Sequence, residues 1–311
     1  MKLICTDDWH LRSTKPENRI DDFFYTQYKK VVFIYNYALE NDIKTILNGG
    51  DLFDIAIQPL KQMLKLINMY TELFLTYKNK GIQHLVVEGQ HDQRYHSTDL
   101  TGTPIENLRT SGAIELMTKD CFMLDEETNV YGAGWGSEVP QVEDPDAFNI
   151  LLTHRMVVHE KLWFGQDGEE RANILLRKYP DYSLIVSGDN HQTLTGLADG
   201  AWLINAGSIM RQGTDQTDHR PCFYVFDTFN GLLEQIFIPC EKSSLVFDLK
   251  KVEREKKKNE ELLVYKEELK KDMETSGLDF SLDLKNAFDK TKPDSVDQSI
   301  MQEILEGATN G

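Results

Sequence analysis

The sequence predicts an α/β fold in which two β-sheets form a sandwich flanked by helices, followed by a small helical C-terminal tail. Short apolar runs recur along the chain, and most of them end at Gly, Asp, Asn or His, as strands that lead into loops do. The first three runs alternate with longer segments of helical spacing. The second half has more strands than helices, which predicts a second sheet packed on the first.

The predicted elements follow from these periodicities. Helices are predicted over 19–41 and 60–80, because the apolar residues of each segment fall mainly on one stripe. Alternation of these helices with the first three strands predicts a βαβαβ unit with parallel neighbours. Strands are predicted at 2–6, 43–48, 82–88, 121–124, 129–135, 148–153, 183–187, 201–205, 222–227 and 233–238.

A change in composition predicts two parts, a body of residues 1–242 and a helical tail of residues 243–311. The segment 249–277 is dense in Lys and Glu, which is typical of a solvated helix with i,i+4 charge pairs. Two later segments, 278–288 and 296–305, are amphipathic but have too little apolar surface for a core of their own. We expect them either to cover the body or to bind a partner.

Composition limits the class of protein. With 34 basic and 51 acidic residues, the net charge is −17, which argues against a surface coated for nonspecific nucleic-acid binding, although a local basic groove can coexist with it. The four scattered cysteines form no CxxC pair and are expected to be thiols in a reducing cytoplasm. No apolar run reaches the roughly 18 residues of a membrane span, and no long apolar core of a secretion signal follows Met1.

Five predicted strands end in side chains that can bind metal ions. Each short motif alone is an ordinary turn, cap or core histidine. Their occurrence at successive strand ends favours a single site, because ligands collect at the carboxyl ends of parallel strands. Several carboxylates brought together without cations would repel one another or become protonated, so the set predicts a site for two metal ions. The motifs are "DWH" (8–10), "GDLFD" (50–54), "GQHD" (89–92), "TH" (153–154) and "GDNH" (188–191).

In this order, the motifs resemble the five signature motifs of calcineurin-like metallophosphoesterases. Within that superfamily, "TDDWHLR" (6–12), "GGDLFD" (49–54) and "NAGSIMRQ" (205–212) are similar to the SbcD-type DNA-repair nuclease branch, including its phage relatives. The resemblance covers roughly residues 1–240 and is loose in the tail. It implies a phosphodiesterase that acts as a DNA exonuclease or endonuclease subunit of an SbcCD-type repair or recombination complex, in which hydroxide activated by two metal ions attacks phosphorus.

The resemblance also implies a metal-ligand set. Two positions depart from the family pattern, since Gln90 stands in place of Asn and Asp189 in place of His. Both keep a donor atom, so we expect an active site, and the oxygen of Asp189 favours Mn²⁺, with Mg²⁺ as the alternative, over zinc. The implied ligands are Asp8, His10 and His191 for one ion, Gln90, His154 and Asp189 for the other, and Asp51 for both.

Further residues receive roles from the same resemblance. His91 would stand beside the scissile phosphate as an acid or transition-state stabiliser, and Asp92 would orient it. Asp54 would orient a metal ligand without binding the ion itself. The candidate phosphate contacts are Arg211, Arg12 and Arg155, for which the alternative is a surface salt bridge.

The implied partners are DNA and an SbcC-type coiled-coil ATPase, with a homodimer as a further expectation and no membrane. The expected location is the cytoplasm, which would be that of the host if the chain came from a phage. Two other functions stay open, the first because the chain has no basic stripe and the second because Gln90 and Asp189 depart from the family pattern. One is a phosphodiesterase for small molecules or cyclic nucleotides, and the other is a catalytically weakened scaffold for the ATPase.

Overall fold

The structure is a computed structural model and describes residues 1–56, 60–159, 170–251, 253–254 and 257–258. The chain divides into two units, Met1–Leu249 and Lys250–Gly311, and the features below belong to the first unit. The predicted amphipathic segments 278–288 and 296–305 lie outside the described residues, as does most of the segment 249–277. The predicted role of the tail therefore stays a prediction.

Within the described residues, the α-helices are α1 (Phe23–Glu40), α2 (Leu60–Lys78), α3 (Pro104–Thr110), α4 (Ala172–Lys178) and α5 (Ser243–Val246). None of the described helices is long and apolar enough to cross a membrane. In chain order, the strands are β1 (Lys2–Thr6), β2 (Thr45–Asn48), β3 (Gln83–Val86), β4 (Glu115–Leu116), β5 (Phe122–Asp125), β6 (Thr128–Ala133), β7 (Phe148–His154), β8 (Val157–Val158), β9 (Glu170–Arg171), β10 (Leu184–Gly188), β11 (Leu194–Ala198), β12 (Ala201–Asn205), β13 (Cys222–Asp227) and β14 (Leu232–Phe237).

Two six-stranded sheets form the sandwich. Their strand orders are β14–β13–β1–β2–β3–β4 and β11–β12–β10–β7–β6–β5, and β8 pairs with β9 in a small separate sheet. Strands β1, β2 and β3 are parallel neighbours, which confirms the predicted βαβαβ unit. In the second sheet, β6, β7, β10 and β12 are parallel. The predicted fold class is therefore confirmed.

Alternating side chains of the strands build separate core layers. In β1, Ile4 packs with the residues of α1 and α2, whereas Leu3 and Cys5 pack between the two sheets. Leu47 of the first sheet and Val186 of the second belong to this same inter-sheet layer. Helix α4 packs on the outer face of the second sheet. The order of layers is thus helix, sheet, sheet and helix.

Several details differ from the sequence prediction. Helix α1 begins at Phe23 rather than near Arg19, because the Asp22 side chain accepts the Tyr25 N–H and caps the helix there. Strands β13 and β14 return to the first sheet, where β13 pairs antiparallel with β1. Strand β11 has no apolar run of its own and forms by pairing with β12.

The two sheets approach each other closely where β2 and β10 end. A Cβ atom on Gly49 would lie 2.7 Å from the carbonyl carbon of Ser187, and one on Gly188 would lie 2.6 Å from the Gly49 oxygen. Such distances are too short for any residue other than glycine. The carboxyl ends of strands from both sheets therefore meet at one place, which is where the predicted metal site lies.

Substitution at Gly50 tests this close approach. Gly50 and Gly81 both have positive φ, at 107° and 88°, but a Cβ on Gly50 would lie 2.4 Å from His154 Nδ1, whereas one on Gly81 would meet nothing within 4 Å. We expect Gly81→Ala to lower the free energy of unfolding by about 1–2 kcal/mol through the backbone alone. Gly50→Ala should lower it by a further ~1–3 kcal/mol because of the clash. Equal losses in urea denaturation would show that the sheets do not meet this closely.

Candidate metal centre

The loops after five strands bring the predicted metal ligands together. They follow β1, β2, β3, β7 and β10, so both sheets contribute. These donors form three overlapping groups, and within each group the donor atoms lie within 4.8 Å of one another. The groups are Asp8, His10 and His191; His10, Asp51 and His91; and Asp8, Asp51 and His154.

The Oδ2 atom of Asp51 lies at the middle of these donors. It is 3.3 Å from His154 Nε2, 3.7 Å from His10 Nε2 and 4.0 Å from His91 Nε2. The other carboxylate oxygen, Oδ1, accepts the backbone N–H of His91 at 2.9 Å. Oδ2 itself is buried without a hydrogen-bond partner among the described residues. One oxygen thus fixes the side chain, and the other faces the histidines.

Two imidazoles meet on one side of Asp51. The Nε2 atoms of His10 and His191 are 2.9 Å apart. Burial lowers the pKa of His10, so its ring is neutral and can present a lone pair. Asp8 adds a carboxylate 4.0 Å from His10 Nε2, and its Oδ2 is buried and unpaired among the described residues. These three side chains are the ligands predicted for the first ion.

His154 is held in the tautomer that a metal ligand needs. Its Nδ1 donates a hydrogen bond to the Gly49 carbonyl oxygen at 2.7 Å, so in the neutral ring Nε2 carries the lone pair. Burial alone would lower the pKa of His154, but the carboxylates of Asp51, Asp8 and Asp189 outweigh it and raise the pKa to about 10. A cation bound here therefore has to displace a proton.

The two side chains that depart from the family pattern touch each other. Gln90 Nε2 donates a hydrogen bond to Asp189 Oδ1 at 2.7 Å, and the same carboxylate oxygen lies 4.0 Å from His154 Nε2. The amide oxygen of Gln90 is buried and unpaired among the described residues. The longer Gln and the shorter Asp thus act as one unit, in which the amide nitrogen binds the carboxylate and the amide oxygen stays available.

The backbone is strained at four of the ligand positions. Asp8, His10, Asp51 and Asp189 have φ values of 47°, 46°, 50° and 80°. Residues other than Gly seldom adopt positive φ, and such strain collects at functional sites where the surrounding structure holds it. Trp9, between two of these residues, is fully buried and its indole packs edge-on against Tyr35. The buried indole anchors this loop while its neighbours face the site.

The donor set fits divalent cations. Four buried donor atoms have no hydrogen-bond partner among the described residues, apart from the 3.3 Å approach of His154 Nε2 to Asp51 Oδ2, and such burial is costly unless something else binds them. Mixed carboxylate, amide and imidazole donors suit ions such as Mn²⁺. The four atoms are Asp8 Oδ2, Asp51 Oδ2, Gln90 Oε1 and His154 Nε2.

His91 and Asp92 have different neighbours from those predicted. The Nδ1 of His91 donates to the Asp54 carbonyl oxygen at 2.7 Å, which leaves Nε2 facing the site on a half-exposed ring. Asp92 contacts backbone N–H groups instead of this ring, namely those of Leu52, Phe53 and Gly89. Burial and the charge of Asp51 raise the pKa of Asp92 to about 7. Asp92 therefore links two loops, and Asp54 orients His91.

Asp54, for which an orienting role was predicted, also lies close to His10. Its Oδ1 is 3.6 Å from His10 Nδ1, and its Oδ2 is 3.0 Å from Arg12 Nη1. Of the three predicted arginines, Arg12 is thus beside the site. Arg155 donates to the Ser137 carbonyl oxygen. Arg211 donates to backbone oxygens of two segments distant from the ligands in the sequence, at residues 219 and 241.

Two residues that support the site were not predicted. Asn205 donates both amide hydrogens to the carbonyl oxygens of Asn190 and Gln192, and so holds the loop that carries His191. Asp7 is fully buried, and its Oδ2 accepts the Ala206 N–H at 2.6 Å. Both lie within the quoted motifs, so their positions were visible in the sequence. Their roles were not, because these depend on backbone groups far away in the chain.

Comparison with curated proteins gives one similarity. The chain is 24% identical over 232 residues to the DNA double-strand break repair protein Mre11 of Haloferax volcanii. The match covers 70% of this chain and 48% of that protein, so the chain spans about half the length of this relative. No family model matches the chain.

Several solved structures are similar at low sequence identity. TT1561 of Thermus thermophilus has a TM-score of 0.48 and 11% identity, over 76% of this chain and 99% of that chain. A novel archaeal phosphodiesterase has a TM-score of 0.42 and 12% identity, over 76% of this chain and 99% of that chain. PH1004 of Pyrococcus horikoshii has a TM-score of 0.45 and 11% identity, over 82% of this chain and 93% of that chain.

These observations agree with one another. The five motifs occur in the order that the resemblance requires, and the loops that carry them meet in one cluster of donors. The strands that deliver them belong to a two-sheet sandwich of the expected kind. The curated relative matches over most of the chain. Motifs, site and two-sheet sandwich are thus those expected from the resemblance to calcineurin-like metallophosphoesterases.

Proposed function

We propose that the protein is a metal-dependent DNA nuclease of the SbcD type, which hydrolyses phosphodiester bonds at the site around Asp51. The observation that carries this proposal is the cluster of carboxylate and imidazole donors, most of them buried, that lie within 4.8 Å of one another in three overlapping groups. The similarity to Mre11, a DNA double-strand break repair protein by name, supports DNA as the substrate. The hydrolase class follows from the site, and the choice of DNA follows from the relative.

Seven side chains would hold two divalent ions. Their donors are carboxylate, amide and imidazole, which favours Mn²⁺, with Mg²⁺ as the alternative. Such ions supply a water of lowered pKa and neutralise charge on the phosphoryl oxygens. The proposed ligands are Asp8, His10, Asp51, Gln90, His154, Asp189 and His191.

Side chains around the ions would position and stabilise the substrate. His91 presents Nε2 at the open side of the site, where it can stabilise a phosphoryl oxygen or protonate the leaving oxygen. Asp54 fixes that ring through its carbonyl oxygen and neighbours His10 through its carboxylate. Arg12 is the arginine whose position fits a phosphate contact, since it is partly exposed and adjoins Asp54. Asp92 holds the Asp51 loop in place.

A partner ATPase of the SbcC type is part of the same proposal. Its support is the resemblance of the motifs to the SbcD branch, together with the similarity to Mre11. The predicted amphipathic segments 278–288 and 296–305 are the candidate contacts. A homodimer and a cytoplasmic location belong to the same set of expectations.

Activity on DNA tests the proposed substrate. In Mn²⁺ the protein should degrade labelled duplex or single-stranded DNA, and Asp51→Asn should lose both activity and Mn²⁺, because the central charge is removed. His91→Gln should keep two Mn²⁺ per chain in equilibrium dialysis but lower turnover by about 100-fold, as expected for a lost general acid. Cleavage of bis-p-nitrophenyl phosphate with DNA left intact would contradict DNA as the substrate and favour a small-molecule phosphodiesterase.

Binding of Mn²⁺ should release protons from the protein. Because the pKa of His154 is raised to about 10, this imidazole is protonated at pH 7.5 in metal-free protein and must lose its proton to bind Mn²⁺. Calorimetric titration in buffers of different ionisation enthalpy should show release of about one proton or more, and Mn²⁺ affinity should rise with pH.

A matched control is His219→Gln, since the Nε2 of His219 contacts the Ser208 carbonyl oxygen outside the ligand set. This variant should release as many protons as the unmodified protein. Mn²⁺ affinity that does not change between pH 6.5 and 8.5 would contradict the role of His154 as a ligand.

Substitutions at Gln90 and Asp189 test whether the two side chains act as one unit. Gln90→Asn shortens the amide and breaks the 2.7 Å hydrogen bond, and Asp189→His removes its acceptor. Each single change should weaken Mn²⁺ binding, whereas the double variant restores the family pairing and should recover much of the loss. A coupling free energy of about 1–3 kcal/mol is expected from such directly contacting side chains. Additive losses in the double variant would show that the two positions act independently.

A further inference from the structure

The turn that follows His91 exposes an aromatic side chain in an unusual backbone. Residues Arg94–His96 form a 3₁₀ turn, in which Tyr95 and His96 have φ values of 53° and 55°. Bulky side chains seldom occupy this left-handed region. Tyr95 is 82% exposed, so packing of its ring against the core does not compensate for the strain. The turn holds the ring in solvent at the expense of local backbone strain.

Hydrogen bonds and ring packing fix this turn to the end of β3. Buried Gln93 donates through Nε2 to the Trp135 carbonyl oxygen at 3.4 Å, and the Trp135 N–H donates to the Glu88 oxygen at 2.9 Å. The rings of His96 and Trp135 lie 5.0 Å apart with an interplanar angle of 37°. Trp135 thus links the turn that follows His91 to Glu88, which precedes His91.

The exposed ring is close to the proposed metal centre. Tyr95 is four positions after His91, so their Cα atoms are at most about 14 Å apart even if the chain were fully extended. That limit is comparable to the reach of the one or two nucleotides next to a bound phosphate. A strand whose phosphate lies at His91 can therefore bring a neighbouring base to Tyr95.

The charges around the ring favour an anionic strand. The Arg94 guanidinium lies 5.4 Å from the centre of the Tyr95 ring. Arg94 thus brings a positive charge to the ring in a chain of net charge −17. Arginine and aromatic rings side by side are the combination that binds single-stranded nucleic acid.

We propose that Tyr95 is a stacking subsite for an unpaired nucleobase of the DNA strand whose phosphodiester lies at the metal centre. The inference rests on the proposed nuclease function and specifies its substrate. A base inside a duplex has both faces covered by its neighbours, so only a single-stranded or frayed end can offer a face to Tyr95. The protein therefore acts on unpaired strands in preference to intact duplex.

Binding of single-stranded DNA by the full-length chain tests the subsite. Fluorescence anisotropy of a labelled oligothymidylate in Mn²⁺, with His91→Gln in all proteins to suppress cleavage, gives the dissociation constant. Tyr95→Ala should raise it about tenfold, as loss of one stacked base does. Tyr95→Phe keeps the aromatic ring and should give the same dissociation constant as the protein that carries His91→Gln alone. Phe229→Ala removes an aromatic residue that is 92% exposed in the β13–β14 turn, and should have no effect.

Hydrolysis of bis-p-nitrophenyl phosphate separates the two proposals. This substrate has no nucleobase, so Tyr95→Ala with an otherwise unchanged sequence should hydrolyse it at the parental rate. Equal DNA dissociation constants for Tyr95→Ala and the parent would overturn the stacking subsite and leave the nuclease proposal intact. If no protein bound DNA, both the DNA substrate and the subsite would be overturned, even with bis-p-nitrophenyl phosphate hydrolysed.

Discussion

The placement of Asp51 Oδ2 among three imidazoles is the constraint on which the rest of the site depends. Folding removes this carboxylate and that of Asp8 from water, and burial alone raises the pKa of both groups. For Asp51, the surrounding histidines outweigh burial and lower the pKa. Positive charge is thus needed at the centre, and protons on imidazoles can supply only part of it. Divalent cations would resolve the conflict more completely than protons, because they also bind the unpaired donor atoms.

The fold supplies the geometry that this chemistry requires. Parallel strands from both sheets end at one edge, and glycines let β2 and β10 approach to within contact distance. Positive φ at Asp8, Asp51 and Asp189 turns their side chains into the site, at a cost of order 1–3 kcal/mol each. Backbone hydrogen bonds to Asp92 hold two of the loops together. The strained loop backbones thus hold the donor atoms in fixed positions.

Sequence periodicity predicted most of the fold, and the motifs named candidate ligands whose loops meet in one cluster. All ten predicted strands occur, with ends shifted by a few residues at most, because each is an apolar run bounded by turn residues. Strand β11 was missed since Gly196 interrupts its pattern, and the return of β13 to β1 depends on pairing that no local signal encodes. The contacts of Asp92 and Asn205 were missed for a similar reason, as both side chains bind backbone groups.

The most direct test of a two-ion site bridged by Asp51 is anomalous diffraction from crystals grown with Mn²⁺. Such a site should give two anomalous peaks about 3.5–4 Å apart, with Asp51 Oδ2 between them and His191 and His154 on opposite sides. A single peak, or peaks remote from Asp51, would contradict it. In that case the buried donors would have to be satisfied by protons and water alone.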